Sequence, residues 1–308
     1  MSEAPNRPAV DPAHAGRLMR RATYASVVVA GTLIVAKLGA WAVTDSVAML
    51  SALIDSLLDA AASLINLFAV RHALQPADRE HRFGHGKAEA LAGLGQAAFI
   101  SGSAVFLVFE AAQRLARPVA VENGEIGIAV SIYAIVATIG LVLYQTHVVR
   151  RTQSLAIAAD SLHYKSDLAL NASVIVALIL SGSFGVTVAD PLFAIGIAIF
   201  VFYSAWRIFR KSYDELMDRE FPEEMRRQIK EIATSPKEVL DMHDLRTRSS
   251  GRDSFIQLHL ELPATISLIE AHRVADIVED KLRQAFPEAE VMIHQDPEGV
   301  DEDHAVFR

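Results

Sequence analysis

Six long apolar runs restrict what this 308-residue chain can fold into. A bilayer core of about 30 Å is crossed by roughly 20 apolar residues of helix, so each run is long enough to span a membrane. A chain that is 52% hydrophobic fits this interpretation better than it fits a single soluble domain. The runs lie at about 22–43, 47–74, 89–116, 125–149, 155–181 and 191–210.

Basic residues between the runs predict an orientation. The loops after the second, fourth and sixth runs are rich in arginine and lysine, whereas the opposite loops carry only Arg114 and Arg117. Because Lys and Arg concentrate in cytoplasmic loops, both termini are predicted to be cytoplasmic. The residues on the predicted cytoplasmic side are Arg71, Arg79, Arg82, Lys87, Arg150, Arg151, Arg207, Arg210 and Lys211.

The last third of the chain has a different pattern. Short segments with helical periodicity alternate with short segments of period two, and Ser267 with Glu270 forms a capping-box pattern at the start of the second helix. The order helix, strand, strand, helix, strand predicts a small α+β domain like that of metallochaperones. The segments are 223–234, His243–Arg248, Ser254–Leu262, Ser267–Phe286 and Glu290–His294.

Charge is distributed as unevenly as hydrophobicity. The whole excess of acidic residues lies after Tyr213, and such an acidic region argues against nucleic acid as a partner. The absence of cysteine excludes disulfides, thiolate metal sites and cysteine nucleophiles. The predicted fold class is therefore an all-α, six-helix transmembrane domain followed by a cytoplasmic α+β domain (αββαβ). The predicted limits are 1–21 for an N-terminal cytoplasmic segment, 22–210 for the transmembrane domain and 211–308 for the cytoplasmic domain.

Two of the apolar runs carry ionisable side chains in matched pairs. Asp55 and Asp59 lie four residues apart in the second run, and His163 and Asp167 lie four apart in the fifth. Residues at this spacing share one face of a helix, and carboxylates inside a membrane span usually have a function. Three carboxylates and one imidazole suit tetrahedral Zn²⁺, and also Fe²⁺ or Cd²⁺. The alternative is that these are residues at helix ends in contact with water. Lys165 points to another face.

Two further clusters lie outside the apolar runs. The first is in the loop between the second and third runs and consists of Asp78, His81 and His85. The sequence is compatible both with a metal site and with a solvated loop without metal. The C-terminal domain holds a second group, in which His294 and Asp296 can point to one side of an extended chain. Single histidines are more often structural than ligating. The candidates in this domain are His243, His259, His272, His294 and Asp296.

At these residues the sequence resembles the cation diffusion facilitator family, in its bacterial zinc and ferrous-iron efflux branch. The resemblance covers nearly the whole chain after about Arg20. It departs from the family in a longer proline-rich N-terminus and an acidic C-terminus after Pro297. The matching segments are SALIDSLLD, QPADREHRFGHGKAE, ADSLHYKSD, HDLRTR, IQLHLEL, AHRVAD and IHQDP.

The resemblance implies a multi-pass homodimer in the cell inner (plasma) membrane that exchanges protons for zinc, ferrous iron or cadmium. The metal is then the substrate and also a regulatory bound ion. The implied gate beside the transport site is Leu162, and the implied charged pair at the membrane surface is Lys87 with Asp218. The implied transport ligands are Asp55, Asp59, His163 and Asp167. The implied loop ligands are Asp78, His81 and His85, and the implied two-metal site near the dimer interface uses His243, His259, His272, His294 and Asp296.

Proton coupling also follows from the chemistry of the predicted transport ligands. Three ionised carboxylates in a poorly solvated site repel one another, so the empty site is expected to hold protons that a metal must expel. A metal channel without proton coupling and a metal-sensing membrane protein are the alternatives. An intramembrane metallohydrolase is disfavoured, since no HExxH motif and no evident general base are present. We therefore expect a secondary active transporter rather than an enzyme.

Overall fold

The computed structural model describes residues 12–45, 47–116, 125–184, 189–251 and 253–300. These fall into two units. The first comprises Met1–Gln75 with Ala88–Tyr213, and the second comprises Pro76–Lys87 with Asp214–Arg308. The loop that carries the predicted loop ligands therefore groups with the C-terminal unit.

Six long helices come first along the chain. Five of them, all except α5, are long and apolar enough to cross a membrane by length and composition, judged on the described residues. Helix α5 carries three charged residues in its first half, Asp160, Lys165 and Asp167. Helix α1 begins well before the predicted run, because buried Ala15 and Met19 extend its packed face. The helices are α1 Pro12–Thr44, α2 Val47–Ala73, α3 Lys87–Ala116, α4 Glu125–Thr152, α5 Leu155–Phe184 and α6 Ala189–Leu216.

Many large apolar side chains lie on the outside of these helices. Val28, Phe68 and Phe106 are each more than 60% exposed, and similar residues recur along α1 to α4 and α6. A soluble protein rarely exposes apolar patches of this extent. The acyl chains of a bilayer would cover this apolar surface and keep it out of water, which is favourable. The exposed residues therefore support the membrane assignment.

The second unit has the predicted order of elements. It consists of α7 Glu223–Ala233, β1 Asp241–Ser250, β2 Asp253–Leu262, α8 Leu268–Ala285 and β3 Ala289–Pro297. The sheet order is β1-β2-β3, with β1 and β2 antiparallel and β2 and β3 parallel. Connecting β2 to the parallel strand β3 requires a crossover, which α8 supplies.

Both helices of this unit cover the same face of the sheet. Alternate residues of β2, Ile256, Leu258, Leu260 and Leu262, are at most 2% exposed and form one core with residues of α7 and α8. The period of two therefore directs the intervening residues Gln257, His259 and Glu261 to the opposite face.

The cap of α8 is only partly as predicted. Ser267 Oγ accepts a hydrogen bond from the Glu270 backbone N–H at 3.2 Å, as expected for an N-cap. The Glu270 carboxylate does not complete the capping box, because it pairs with Arg273 one turn further along the helix. The start of the helix was thus predicted correctly, and the reciprocal bond was not.

The loop before α3 packs on the β1–β2 hairpin within the second unit. A Cβ added to Gly86 would lie 2.0 Å from the Ser250 carbonyl oxygen, and Gly251 adopts φ +67° on the other side of this contact. Only glycine permits so close an approach of two backbones. Phe83 anchors the same loop, with its ring edge-to-face against Phe255 at 5.3 Å and the Arg248 guanidinium 4.4 Å from its centroid.

Candidate metal centres

Three predicted ligands meet between α2 and α5. His163 Nε2 lies 2.8 Å from Asp59 Oδ1 and 3.7 Å from Asp167 Oδ2, and one ligand atom from each residue lies within 4.8 Å of the others. The i,i+4 spacing places His163 and Asp167 on one face of α5. One imidazole and two carboxylates at this separation can converge on a single divalent ion.

Asp55 and the three converging ligands line one cavity of about 820 Å³. Asp55 lies one helical turn before Asp59 on α2, so a fourth ligand is available from the same wall. Leu162, the predicted gate, is buried in an apolar cluster with residues of α3 and α6, including Ile100 and Val201. Its role as a gate remains a prediction.

A buried polar network lies one turn before His163 on α5. Asp160 is 2% exposed, and its Oδ2 accepts hydrogen bonds from Ser26 Oγ and Gln145 Nε2, each at 2.6 Å. Ser63 Oγ lies 3.4 Å from Asp160 Oδ1 and 3.0 Å from the Tyr164 hydroxyl. The network joins α1, α2, α4 and α5, and it therefore restrains the rotation of α5 that directs His163 toward α2.

Sequence reasoning missed two charged residues of this domain. Lys37 is the single charge in the middle of the first apolar run, and Asp160 precedes the predicted ligands in the fifth. The signal was present in both cases, since an ionisable residue within a membrane span is a candidate functional residue by itself. The cavity that contains Asp55 and Asp59 is also lined by Lys37.

The loop residues form a second group. Asp78 Oδ2 lies 3.3 Å from His85 Nε2, Asp78 Oδ1 lies 3.4 Å from His81 Nδ1, and the two imidazole rings are 4.6 Å apart. His85 is buried, whereas Asp78 and His81 are exposed. The ligand atoms of these three residues lie close enough together to hold a metal ion, and their role as a metal site remains a prediction.

Backbone donors hold the Asp78 carboxylate in its ionised form. The His81 N–H donates to Asp78 Oδ1 at 2.6 Å, and the Glu80 N–H donates to the same oxygen at 2.9 Å. These hydrogen bonds, that from His81 first, lower the pKa of Asp78 below its ordinary value. The Asp78 carboxylate is therefore negatively charged, and able to bind a cation, across the physiological pH range.

A row of three histidines crosses the open face of the C-terminal sheet. His259 on β2 is paired in register with His243 on β1 and with His294 on β3, so each strand contributes one imidazole at the same level. Directly paired residues on one face have Cβ atoms about 4.5–5.5 Å apart. The ladder shifts register after His243, where Asp244 adopts φ +48°. Such bulges re-aim side chains beside functional sites.

Asp296 is the common partner of this row. Its Oδ2 lies 2.8 Å from His259 Nδ1 and 3.1 Å from His243 Nε2, while its Oδ1 lies 3.0 Å from His294 Nε2. The carboxylate is buried, and its two oxygens face different histidines. A carboxylate in this position can bind one ion or bridge two.

The remaining predicted residues are placed less centrally. His272 is exposed on α8, with its Nε2 3.6 Å from Asp276 Oδ2, and the structure does not bring it to the histidine row. Its role as a ligand remains a prediction. Lys87 Nζ lies 2.9 Å from Asp218 Oδ1, and Arg248 lies 3.8 Å from the other oxygen of the same carboxylate. The predicted charged pair therefore includes a second cation.

Comparison with known proteins matches both parts of the chain to family models. Residues 23–217 match the cation efflux transmembrane domain, and residues 221–298 match the cytoplasmic domain of cation efflux proteins. The cation-efflux pump FieF of Klebsiella pneumoniae is 49% identical over 285 residues, which are 92% of this chain and 95% of that protein. FieF of Salmonella choleraesuis (strain SC-B67) is 50% identical over 282 residues, 92% of this chain and 94% of that protein.

A solved structure of CzrB in its zinc form is 36% identical and covers 28% of this chain and 100% of that chain, with a TM-score of 0.25. A TM-score this low is no evidence of a shared overall fold.

The chain is a membrane protein of the cation efflux class, with an apolar helical domain and a cytoplasmic domain that contains a small sheet. It belongs to the cation diffusion facilitator family, and its relatives at about 50% identity are cation-efflux pumps. It is therefore a transporter and not an enzyme, and metal cations are its substrates.

Proposed function

We propose that this protein exports zinc, ferrous iron or cadmium from the cytoplasm in exchange for protons. The observation that carries the proposal is the convergence of Asp59, His163 and Asp167 within 4.8 Å beside a cavity that Asp55 also lines. Carboxylate and imidazole ligands suit these borderline divalent ions better than they suit Ca²⁺ or Mg²⁺. The relatives named FieF are cation-efflux pumps, which supports the direction of transport.

The proposal includes six membrane spans, which are the five apolar helices and α5. It places a homodimer in the inner membrane, with both termini of each copy in the cytoplasm. Charge supports the orientation, because Arg71, Arg150 and Arg207 lie near the helix ends that would face inward. Helix α5 would be shielded from lipid at its charged half, since Asp160 is buried between α1, α2 and α4 and Asp167 lines the cavity.

Proton exchange is the step that separates an antiporter from a channel. Metal can bind the carboxylates and the neutral imidazole only after any protons on them leave. Two protons per divalent ion would make the exchange electroneutral. One proton per ion would move net positive charge outward, at about 2.3 kcal/mol per charge for each 100 mV of potential.

The histidine row and the loop group support a regulatory role for bound metal. His243, His259 and Asp296 converge on the open face of the cytoplasmic sheet, where a second copy of the domain could approach. Metal that binds only the assembled form would favour dimerisation by mass action. This arrangement is also the feature that a metal sensor would need, so flux must be measured directly.

The test is zinc flux into proteoliposomes that contain the full-length protein, with and without an imposed pH gradient. We expect flux that follows the gradient and is nearly abolished by Asp59→Ala or Asp167→Ala, while the dimer still assembles. Asp280→Ala, at an exposed position of α8, is the matched control and should transport normally. Zinc flux that does not change with the pH gradient would indicate a channel. Zinc binding without any zinc flux would indicate a sensor. Normal zinc flux in a well-folded Asp59→Ala protein would refute the proposed site.

A further inference from the structure

Lys37 is held at the wall of the transport cavity by α2. Its Nζ donates a hydrogen bond to Ser56 Oγ at 2.6 Å and another to the Ala52 carbonyl oxygen at 3.1 Å. Ser56 follows Asp55 directly and lies less than one turn from Asp59. Among the described residues that line the cavity, Lys37 is the one lysine or arginine.

The hydrogen bonds make this charge a fixed part of the site. An ammonium group has three N–H donors and no acceptor, and two of the three are used by groups on α2. Ser56 is 1% exposed, so the ammonium is hydrogen-bonded to a buried side chain. This hydrogen bond holds the ammonium at the cavity wall and away from bulk solvent. A cation that binds between Asp55, Asp59 and Asp167 therefore meets the Lys37 charge nearby.

Charges in the loaded cavity balance for a divalent ion. Three ionised aspartates supply three negative charges, and a neutral His163 ligand supplies none. The Lys37 ammonium supplies one positive charge and a divalent ion supplies two. A trivalent ion would leave one uncompensated positive charge, which is costly in a membrane domain.

We propose that Lys37 is a charge-selectivity residue of the transport cavity, which matches its carboxylates to divalent cations and disfavours trivalent ones. The inference rests on the proposed transport site. It concerns a residue that is not a ligand and that acts on the ion through space. The repulsion between the ammonium and the ion is proportional to the charge of the ion, so it weakens the binding of a trivalent ion more than that of a divalent one.

The proposal predicts a fixed relation between two affinities. Replacing Lys37 by methionine removes the charge and keeps an unbranched side chain. If Lys37→Met increases Zn²⁺ affinity on the order of tenfold, it should increase Tb³⁺ affinity about thirtyfold, because the logarithms scale as the ion charges, 2 to 3. Tb³⁺ is a suitable probe because it binds carboxylate oxygens and is luminescent.

The measurement is equilibrium binding of Zn²⁺ and Tb³⁺ to the full-length dimer in nanodiscs. The parent and every variant carry His81→Ala and His243→Ala, which remove ligands of the other two metal groups. Lys37→Gln is a second variant that removes the charge but can still donate to Ser56, so a packing defect in Lys37→Met does not decide the result. Lys37→Arg retains the charge and should retain the parental Tb³⁺-to-Zn²⁺ affinity ratio. Lys165→Gln removes an exposed lysine of α5 and is the matched control, with no expected change.

The inference is supported if Lys37→Met and Lys37→Gln both raise the Tb³⁺-to-Zn²⁺ affinity ratio while Lys37→Arg and Lys165→Gln do not. It is overturned if neither neutral variant changes the ratio, which would leave Lys37 as a structural tie between α1 and α2. Asp59→Ala in the same background separates this failure from that of the proposed function. If Asp59→Ala binds Zn²⁺ as tightly as its parent, the cavity is not the metal site and the proposed function fails first.

Discussion

Asp296→Asn tests whether the histidine row is a metal site, because the substitution removes one charge and almost no volume. The Asp296 carboxylate contacts all three histidines of the row at 2.8 to 3.1 Å. An amide has one oxygen to accept with and no charge to offer a cation. Since Asp296 lies near the end of β3 and outside the apolar core, the metal-free domain should keep its fold.

The expected magnitude follows from ligand linkage. Mutation of groups that only orient metal ligands typically weakens affinity 10–100-fold, so loss of a direct ligand should cost about 100-fold or more. Zinc at 100 times the wild-type Kd stabilises the folded domain by about 2.7 kcal/mol, and after a 100-fold loss the same concentration contributes about 0.4 kcal/mol. The zinc-induced gain in stability should thus fall by about 2.3 kcal/mol. For a domain of this size that is roughly 9–18 °C of zinc-induced shift in Tm.

The assay is thermal unfolding of a cytoplasmic fragment, residues 214–308, with and without zinc, followed by circular dichroism. The fragment contains a complete core of residues from α7, β2, α8 and β3. Glu290→Gln, an exposed carboxylate on the same strand, is the control and should keep the full zinc-induced shift. If zinc raises the Tm of Asp296→Asn and wild type equally, Asp296 is not a ligand of the zinc that stabilises the domain.

Three shorter predictions concern the other groups. In a double-mutant cycle, Lys87→Ala and Asp218→Ala should couple by about 1 kcal/mol, the upper range for a partly exposed ion pair, and additive effects on dimer stability would reject the pairing. An NMR titration should give Asp78 an apparent pKa below 3.8, because the His81 and Glu80 N–H groups stabilise the carboxylate. The lowered pKa stabilises the loop at pH values above 3.8, and this stabilisation is lost as the pH falls through the lowered pKa. A titration midpoint at or above 3.8 would contradict the prediction. His163→Asp should raise Mn²⁺ flux relative to zinc flux, since an all-carboxylate site suits harder ions, and unchanged ratios in proteoliposomes would exclude His163 as the selectivity element.

The candidate site illustrates why some residues are found from sequence and others are not. Asp55, Asp59, His163 and Asp167 stand out because each pair shares a helix face at a spacing of four, which is a local property. Lys37 has no partner on its own helix, and its hydrogen bonds run to α2. Its position at the cavity depends on how α1 packs against α2, and no periodic pattern within α1 predicts this packing.

The same distinction applies to the cytoplasmic domain. Alternation in each strand predicts that His259 and Leu260 face opposite sides, and the structure confirms it. That His243, His259 and His294 lie in one row depends on the register of three strands, and the pairing of β2 with β3 spans the whole of α8. A shift of one residue in either pairing would have moved a histidine to the core face.

The features that could be predicted from the sequence are therefore local: the six apolar runs, the order αββαβ, the N-cap at Ser267 and the helix faces of the paired ligands. These follow from hydrophobic periodicity and capping, which act over a few neighbouring residues. Three contacts could not be predicted and are seen in the folded chain: Asp160 joins four helices, Gly86 meets Gly251 within the C-terminal unit, and Asp296 faces three histidines. Each of these contacts joins residues far apart in the chain, and packing and strand register bring them together.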